Sequence, residues 1–350
     1  MQEGSEAGGL IGIVHYGLGP IGLAVAAEVA GRPWLRSVAA IDVSTELRGR
    51  PLVELTSTDG ATREAAGSPA VHEALGPALA SATGARVALH CTGSSLDRVA
   101  PQLVELAGAG LHVVSTTEEL SFPWEAHPAA AAAIDAAAKR AGVTVLGTGI
   151  NPGFAMDYLP ITLSAVARRV DRVEVHRVQD AGTRRLPLQR KVGAGMDADA
   201  FRAAVAEGRL GHVGLPESAR MLARAFGWRL TALEERIEPI CAEAPTPASG
   251  GVIAAGQVLG LHQTLVGRAG DAVVVELTLD MAIGIGPARD HVRLHGRPEM
   301  ELEVPGGLHG DTATAAIVVN AIPRVLAAAP GLVTMPDLPP PTPGSPGTPG

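Results

Sequence analysis

The sequence predicts an α/β protein built in two parts, an N-terminal doubly wound parallel sheet and an α+β domain with an open, mainly antiparallel sheet. Three observations predict it. Over the first 150 residues, apolar runs of strand length alternate with helical stretches, the mark of βαβ units. After Asn151, long alternating segments follow one another with few helices between them, the mark of antiparallel pairing. At 350 residues the chain also exceeds what one ordinary α/β core needs.

The predicted strands of the first part are Leu10–His15, Val38–Asp42, Arg86–Cys91, Leu111–Thr116 and Val143–Leu146. Helices fill the gaps, one from Pro20, one over Ser95–Leu106 with Ser94 or Ser95 as its cap, and one over the alanine-rich Ala129–Ala141. In the second part the strand candidates are Arg172–Val178, Arg229–Ile240, Val252–Val266, Ala272–Ile285 and Val292–Val304, interrupted by helices near Ala198–Ala206 and Glu217–Phe226. A last helix over Thr312–Ala329 is apolar enough to pack back on the first domain. The expected boundaries are therefore 1–152, 153–308 and 309–336. The ending 337–350, rich in Pro and Gly, is expected to be a disordered tail.

Composition narrows the function. The net charge is −8, and no block of basic residues longer than a pair appears, so the surface for tracking phosphates that nucleic acid requires is missing. Apolar stretches are broken well before the roughly 20 residues that span a bilayer. Glu3 and Glu6 stand where a secretory leader would be basic, so cytoplasm is the default expectation. Cys91 and Cys241 are too few for a disulfide framework. No metal site is expected, because His176, His262, His295 and His309 are scattered without paired spacing. Neither a GxSxG elbow nor a P-loop is present.

The first strand runs into Gly17-Leu18-Gly19-Pro20-Ile21-Gly22, a GxGxxG turn that opens a helix. Gly17 permits the tight turn, Gly19 lets backbone approach a pyrophosphate, and Gly22 lets the helix pack on the strand, with Pro20 and Ile21 in the first helical turn. The second strand ends in Asp42, placed to accept hydrogen bonds from an adenosine ribose. This is the fingerprint of a Rossmann domain that binds NAD(P). Asp42 would repel a ribose phosphate and favour NAD, whereas Arg48 and Arg50 could pair with that phosphate, so the choice stays open. Cys91, Thr92, Gly93 and Ser94 end the third strand, where they either line the pyrophosphate and nicotinamide ribose or cap a helix.

The next strand ends in Ser115-Thr116-Thr117-Glu118-Glu119. Ligands of open parallel sheets bind beyond the carboxyl ends of the strands, so these glutamates emerge where a nicotinamide would sit. A carboxylate there can hold a substrate ammonium, take its proton and stabilise the iminium that forms at the oxidised carbon. A solvated turn is the bland alternative.

The segments GLGPIG, STTEELSFPW, GINPGFAMDYLP, DAGTRRLPLQRKVGAG and GDTATAAIVVNAIPRVL together resemble the 2,4-diaminopentanoate dehydrogenase family and its relatives, the native amine dehydrogenases. The resemblance covers nearly the whole chain. It implies NAD(P)-dependent oxidative deamination of an amine, or reductive amination of a ketone or aldehyde with ammonia in reverse. A homodimer with a dihydrodipicolinate reductase-like architecture is also implied. Glu118 is the position that matches the family's catalytic glutamate, with Glu119 in reserve. Related homoserine dehydrogenases place a lysine there, which by analogy puts this position at the reaction centre. The resemblance makes the segment with Arg184, Arg185, Gln189, Arg190 and Lys191 part of the active-site wall, where solvated charge is the default reading. Asn151, before Pro152 and Gly153, is a candidate cofactor contact, in a segment that is a domain hinge with a helix start, a direct substrate contact, or both. Trp124, Ile150, Phe154, Arg177 and Gln179 complete the expected substrate pocket, although single polar residues on a strand usually face water.

Rival readings are a 2,4-diaminopentanoate dehydrogenase proper, an imine or dihydrodipicolinate-type reductase, and a nicotinamide-sensing protein without turnover. The reductase's His-His-x-x-Lys segment is missing. Glutamate in place of lysine disfavours a homoserine or semialdehyde dehydrogenase.

Overall fold

The computed structural model describes residues 10–56, 67–183 and 186–344. The chain folds as two compact units, one running to Ile150 and resuming at Gly310, the other formed by Asn151–His309.

The first unit begins β1 (Ile11–Tyr16), α1 (Pro20–Ala30), β2 (Leu35–Ile41), α2 (Leu52–Thr56), β3 (Val71–His72), α3 (Leu75–Ala80), β4 (Ala85–His90), α4 (Leu96–Gly108), β5 (His112–Ser115), α5 (Pro128–Ala141) and β6 (Thr144–Gly147). The strands pair in parallel in the order β6-β5-β4-β1-β2-β3, so the winding reverses between β1 and β4. Consecutive Ile13 and Val14, and consecutive Val113 and Val114, are all fully buried. Both faces of the sheet are therefore covered, which is why these strands read as continuous apolar runs. On α4, Leu96, Val99, Leu103 and Leu106 recur at helical spacing and form one buried face. Pro128 starts α5 and Gly142, with φ +71°, ends it.

The second unit contains α6 (Tyr158–Leu163), β7 (Arg169–Asp180), α7 (Leu186–Lys191), α8 (Ala198–Ala206), α9 (Leu215–Phe226), β8 (Ala232–Cys241), β9 (Thr246–Ala248), β10 (Gly251–Ile253), β11 (Val258–Ala269), β12 (Ala272–Ala282), β13 (Arg289–Arg297) and β14 (Met300–Pro305). Six strands form an open sheet in the order β14-β13-β7-β12-β11-β8, in which only β7 and β12 run parallel, while β9 and β10 form a separate hairpin. One face carries Val173, Val175, Leu265, Leu277, Val292 and Leu294 into a core shared with Leu215, Ala219 and Leu222 of α9. The segment expected as one strand over Val292–Val304 is a hairpin, with Leu294 opposite Met300. Pro298 lacks the N–H that a continuous ladder would use, and it falls in the turn.

The chain then returns to the first unit with α10 (Gly310–Asn320), α11 (Ile322–Ala327) and β15 (Gly331–Val333), which adds in parallel beside β6. The single helix expected over Thr312–Ala329 is two, because Pro323 cannot continue the hydrogen-bond ladder and instead opens the second. Thr144 Oγ1 reaches the carbonyls of Ala328 and Ala329, joining this return to the sheet. The expectation of a disordered tail is corrected for its first residues. Leu338 is buried, the Pro340 carbonyl accepts from Arg324, and the Pro343 carbonyl accepts from Arg32 at 2.6 Å. Composition missed this because proline carbonyls remain acceptors for arginines that the fold supplies. Residues 345–350 lie outside the described residues. Among the described residues, no helix is long and apolar enough to cross a membrane.

Candidate active site

In the first unit, the switch point between β1 and β4 brings the glycine turn beside the loop that follows β4. Gly17 has φ +90°, and a Cβ there would lie 2.6 Å from the Cys91 carbonyl oxygen. A Cβ at Gly22 would lie 1.9 Å from the Gly17 oxygen, so α1 starts tight against its own strand. Gly19 differs from both. It is extended backbone at the cap of α1, no side chain caps the helix, and no protein atom lies within 4 Å of where its Cβ would be. The first amides of a helix lack intrahelical partners, and Pro20 contributes none, so Gly19 fronts an uncapped positive end with room for an anion. These residues fit the pyrophosphate of a dinucleotide.

Asp42 follows β2 and is half-buried. Its Oδ2 accepts from the Leu18 amide at 2.6 Å and its Oδ1 from the Ser44 amide at 2.8 Å, so the carboxylate braces the glycine turn. Of the two arginines that could read a ribose phosphate, Arg48 pairs with Glu73, and Arg50 lies 3.9 Å from Glu54.

After β4, Cys91 donates its amide to the Tyr16 carbonyl at 2.7 Å, and burial pushes its thiol up to about 12, so the group stays protonated at neutral pH. Thr92, Gly93 and Ser94 carry the chain from there to α4. Beside this loop lies a polar network that the sequence reading missed. His90 is fully buried, with Nδ1 2.8 Å from Ser115 Oγ and Nε2 2.9 Å from Gln102 Oε1. Ser115 Oγ lies 3.0 Å from Thr117 Oγ1, which donates to the Gly93 carbonyl at 2.9 Å. Burial lowers the His90 pKa to about 4, so the imidazole is neutral. The available signal was a histidine closing an otherwise apolar strand.

Glu118 and Glu119 open a 3₁₀ turn, Glu118–Ser121, directly after β5. Leu120 is fully buried, and Gly147 packs so closely that its Cβ would lie 2.6 Å from the Leu120 carbonyl carbon. Both glutamates are half-buried. The Glu119 carboxylate accepts from the Leu96 amide at 2.6 Å and lies 3.3 Å from His127 Nε2. The cap expected at Ser94 or Ser95 falls at Ser95, but its side chain makes no capping bond, and the Glu119 carboxylate takes that place. A full carboxylate bonds the helix end more strongly than a hydroxyl does. Trp124 packs on the core of this unit, with its ring 5.3 Å from that of Phe122, edge to face. Ile150 is buried, and its amide donates to Thr314 Oγ1.

The other nominated residues belong to the second unit. Asn151 is buried; its carbonyl accepts from His212 Nε2 at 3.0 Å, and its Oδ1 has no protein partner. Phe154 stands 6.4 Å from the Tyr158 ring. The intervening turn is organised by Asp157, fully buried, whose carboxylate accepts from the Gly153 and Tyr158 amides and from Ser218 Oγ. Arg177 and Gln179 do not face water, as strand polar residues usually do, but lie on the covered face of the sheet, 2% and 7% exposed. Arg177 Nε is 3.2 Å from Asp290 Oδ1, and its Nη2 donates to the Leu308 carbonyl. The Leu308 amide in turn donates to Asp290 Oδ2. Gln179 Nε2 lies against Gly307, where a Cβ would be 2.6 Å away.

Within this unit a cavity of ≈ 30 Å³ is lined by Lys191 and His212 among apolar side chains. Gln189 is buried and Arg190 exposed, while Arg184 and Arg185 lie outside the described residues. His176 and His262, far apart in sequence, meet on Asp280 across three neighbouring strands, at 2.6 and 2.5 Å. Even so, no group of three or more His, Cys, Asp or Glu side chains among the described residues could hold a metal ion.

A family model described as the 2,4-diaminopentanoate dehydrogenase C-terminal domain matches residues 154–344. The 2,4-diaminopentanoate dehydrogenase of Acetoanaerobium sticklandii is 35% identical over 269 residues, which cover 73% of this chain and 74% of that protein. Among solved structures, the amine dehydrogenase from Mycobacterium smegmatis matches with a TM-score of 0.82 at 25% identity, covering 95% of this chain and 97% of that one. A probable dehydrogenase from Thermotoga maritima shares the fold at 15% identity, with a TM-score of 0.50 over 93% of this chain and 92% of its own.

Proposed function

Since the chain belongs to the 2,4-diaminopentanoate dehydrogenase family and is an oxidoreductase acting on an amine, we propose that it is an NAD(P)-dependent amine dehydrogenase with Glu118 as its catalytic base. The reaction converts an amine, water and oxidised NAD(P) to a carbonyl compound, ammonia, reduced NAD(P) and a proton, and in reverse carries out reductive amination. One observation carries the reading. The turn bearing Glu118 follows β5, on the same edge of the parallel sheet as the uncapped glycine turn after β1 and the Asp42 carboxylate after β2.

Gly17, Gly19 and Gly22 would hold the pyrophosphate, with Asp42 toward the adenosine ribose and Thr92 to Ser94 along the nicotinamide side. Bound there, the nicotinamide supplies the hydride acceptor. The protein's own part is proton handling and orientation. Glu118, as the carboxylate, attracts the substrate ammonium and takes one of its protons, which frees the nitrogen lone pair that forms the iminium as hydride leaves the carbon. In the half-buried setting of the turn the carboxylate's attraction for the ammonium acts through a lower dielectric than in water. The same carboxylate, once protonated, returns the proton in the amination direction. A homodimer is part of the proposal, and sedimentation velocity tests it.

The deciding assay is NADH and NADPH oxidation with ammonium chloride against a panel of ketones and aldehydes, and the reverse reaction with 2,4-diaminopentanoate. Turnover that Glu118→Gln abolishes, with NADH or NADPH affinity retained, is the expected result. A fully active Glu118→Gln enzyme removes the assignment of the base. Binding of NADH without turnover of any carbonyl or amine would favour a sensing protein.

A further inference from the structure

Resting on the assignment of the base to Glu118, we propose that its neighbour Glu119 is a positioning residue, whose carboxylate locks the Glu118 turn to the starts of two helices.

The turn is only four residues long, and a 3₁₀ turn of that length has too few internal hydrogen bonds to hold itself. Its orientation must therefore come from outside. One side is fixed by Leu120, buried beneath Gly147. Its entry is fixed by Thr117, through the Gly93 carbonyl. The remaining side depends on Glu119. The Glu119 amide reaches the Ser94 carbonyl at 3.4 Å, its Oε2 accepts from the Leu96 amide at 2.6 Å, and the same oxygen lies 3.3 Å from His127 Nε2. Leu96 is the first residue of α4, and His127 is the cap residue of α5. His127 is held in turn by Asp97, 3.1 Å from its Nδ1, and by its own amide on the Pro123 carbonyl.

One carboxylate thus joins the turn to two helix starts, and it takes the cap place that the Ser95 side chain leaves unused. Successive side chains on a 3₁₀ turn point about 120° apart, so directing Glu119 at α4 sends Glu118 in a different, fixed direction. A charged acceptor suits this place because the uncapped amides at the start of α4 carry the positive end of the helix dipole.

The two glutamates therefore have separate jobs, and kinetics can tell them apart. Misplacing a reacting group by about 1 Å costs roughly a hundredfold in rate, so Glu119→Ala should lower kcat by roughly ten- to a hundredfold. NADH affinity should stay within about twofold, since the glycine turn is untouched. Glu119→Gln keeps an oxygen that accepts from Leu96, and most of the lost kcat should return. In both Glu119 variants the fall of deamination kcat/KM at low pH should persist, because the proposal gives the base role to Glu118.

The assay is steady-state deamination across pH for the full chain and for Glu118→Gln, Glu119→Ala and Glu119→Gln, using NAD+ or NADP+ and the amine that corresponds to the carbonyl compound selected by the panel, alongside thermal melts and NADH titration. Wild-type kcat in Glu119→Ala, with Glu118→Gln dead, sinks the positioning role and leaves the base assignment standing. A Glu119→Gln enzyme as inactive as Glu119→Ala, and without the low-pH limb, makes Glu119 the base and overturns the proposal. Activity retained in Glu118→Gln overturns the parent reading whatever Glu119 does.

Discussion

The Asp42 carboxylate accepts a hydrogen bond from the Leu18 amide at 2.6 Å, tying the end of the second strand to the middle of the glycine turn. The acid that the dinucleotide fingerprint assigns to the ribose is therefore also a brace for the glycine turn. Removing it acts twice, which Asp42→Ser and Asp42→Ala can separate. Asp42→Ser keeps a hydroxyl near Leu18 but loses the charge that repels a 2′-phosphate. It should move the ratio of NADH to NADPH efficiency toward NADPH by roughly tenfold, equivalent to about 1.4 kcal/mol. Asp42→Ala should weaken both cofactors. Fluorescence titration with NADH and NADPH reads both outcomes, and an unchanged ratio in Asp42→Ser removes Asp42 from cofactor choice.

The three glycines should respond differently to the same added methyl group. At Gly22 the new Cβ would meet the Gly17 carbonyl oxygen, so Gly22→Ala should cost about 1–3 kcal/mol of stability and lose cofactor affinity as well. At Gly19 the position is open and φ is −62°, so Gly19→Ala should melt at the wild-type temperature. Its NADH affinity should nevertheless fall about tenfold or more, because the methyl group occupies the anion's place. Paired melting and titration curves check this, and an undiminished affinity in Gly19→Ala would place the pyrophosphate elsewhere.

Acid should destabilise the first unit through two buried histidines. His15, beside Ser37 Oγ, and His90 are 1% and 0% exposed, and burial lowers each pKa to about 4. Because the unfolded chain binds these protons near pH 6.5, the neutral rings contribute their full stability above that value, and the contribution is lost as pH falls toward 4. Each should cost about 2 kcal/mol between pH 7.5 and pH 5. Urea unfolding across that range should show the loss, and His90→Gln should flatten the slope.

Breaking the Arg177–Asp290 pair should be expensive. Both side chains are at most 3% exposed, and burial raises the Asp290 pKa while the Arg177 charge and the Leu308 amide oppose it. Asp290→Ala leaves a guanidinium without its carboxylate in the core of the second unit, at a cost of about 3–5 kcal/mol. Denaturant melts of Asp290→Ala and of the double variant with Arg177→Met measure it. A loss below about 1 kcal/mol in the single variant would mean that water reaches the pair.

Much of the first unit was legible because a covered parallel sheet writes itself as apolar runs between helices. Each of the five predicted strands overlaps an observed one, and the helix at Pro20 begins where proline's fixed φ suits a first turn. The second unit was read less well for the opposite reason. Its strands alternate, and alternation does not say where a ladder turns, so β13 and β14 were read as one. The Glu119 cap and the meeting of His176 and His262 on Asp280 join residues 18 or more positions apart, at distances no local pattern encodes.

The sequence by itself determined the two-part α/β architecture, the glycine turn with its acid at Asp42, and the pair of glutamates after the fourth long strand. These depend on local periodicity and on residue types whose chemistry is the same in any context. Only the tertiary structure decided which glutamate is spent on a helix end and that Asp42 braces the turn it was expected to serve. It also decided that Arg177 is locked in a buried ion pair. Hydrogen bonds and burial depend on what the folded chain brings within about 3 Å, and separation along the sequence carries no record of that distance.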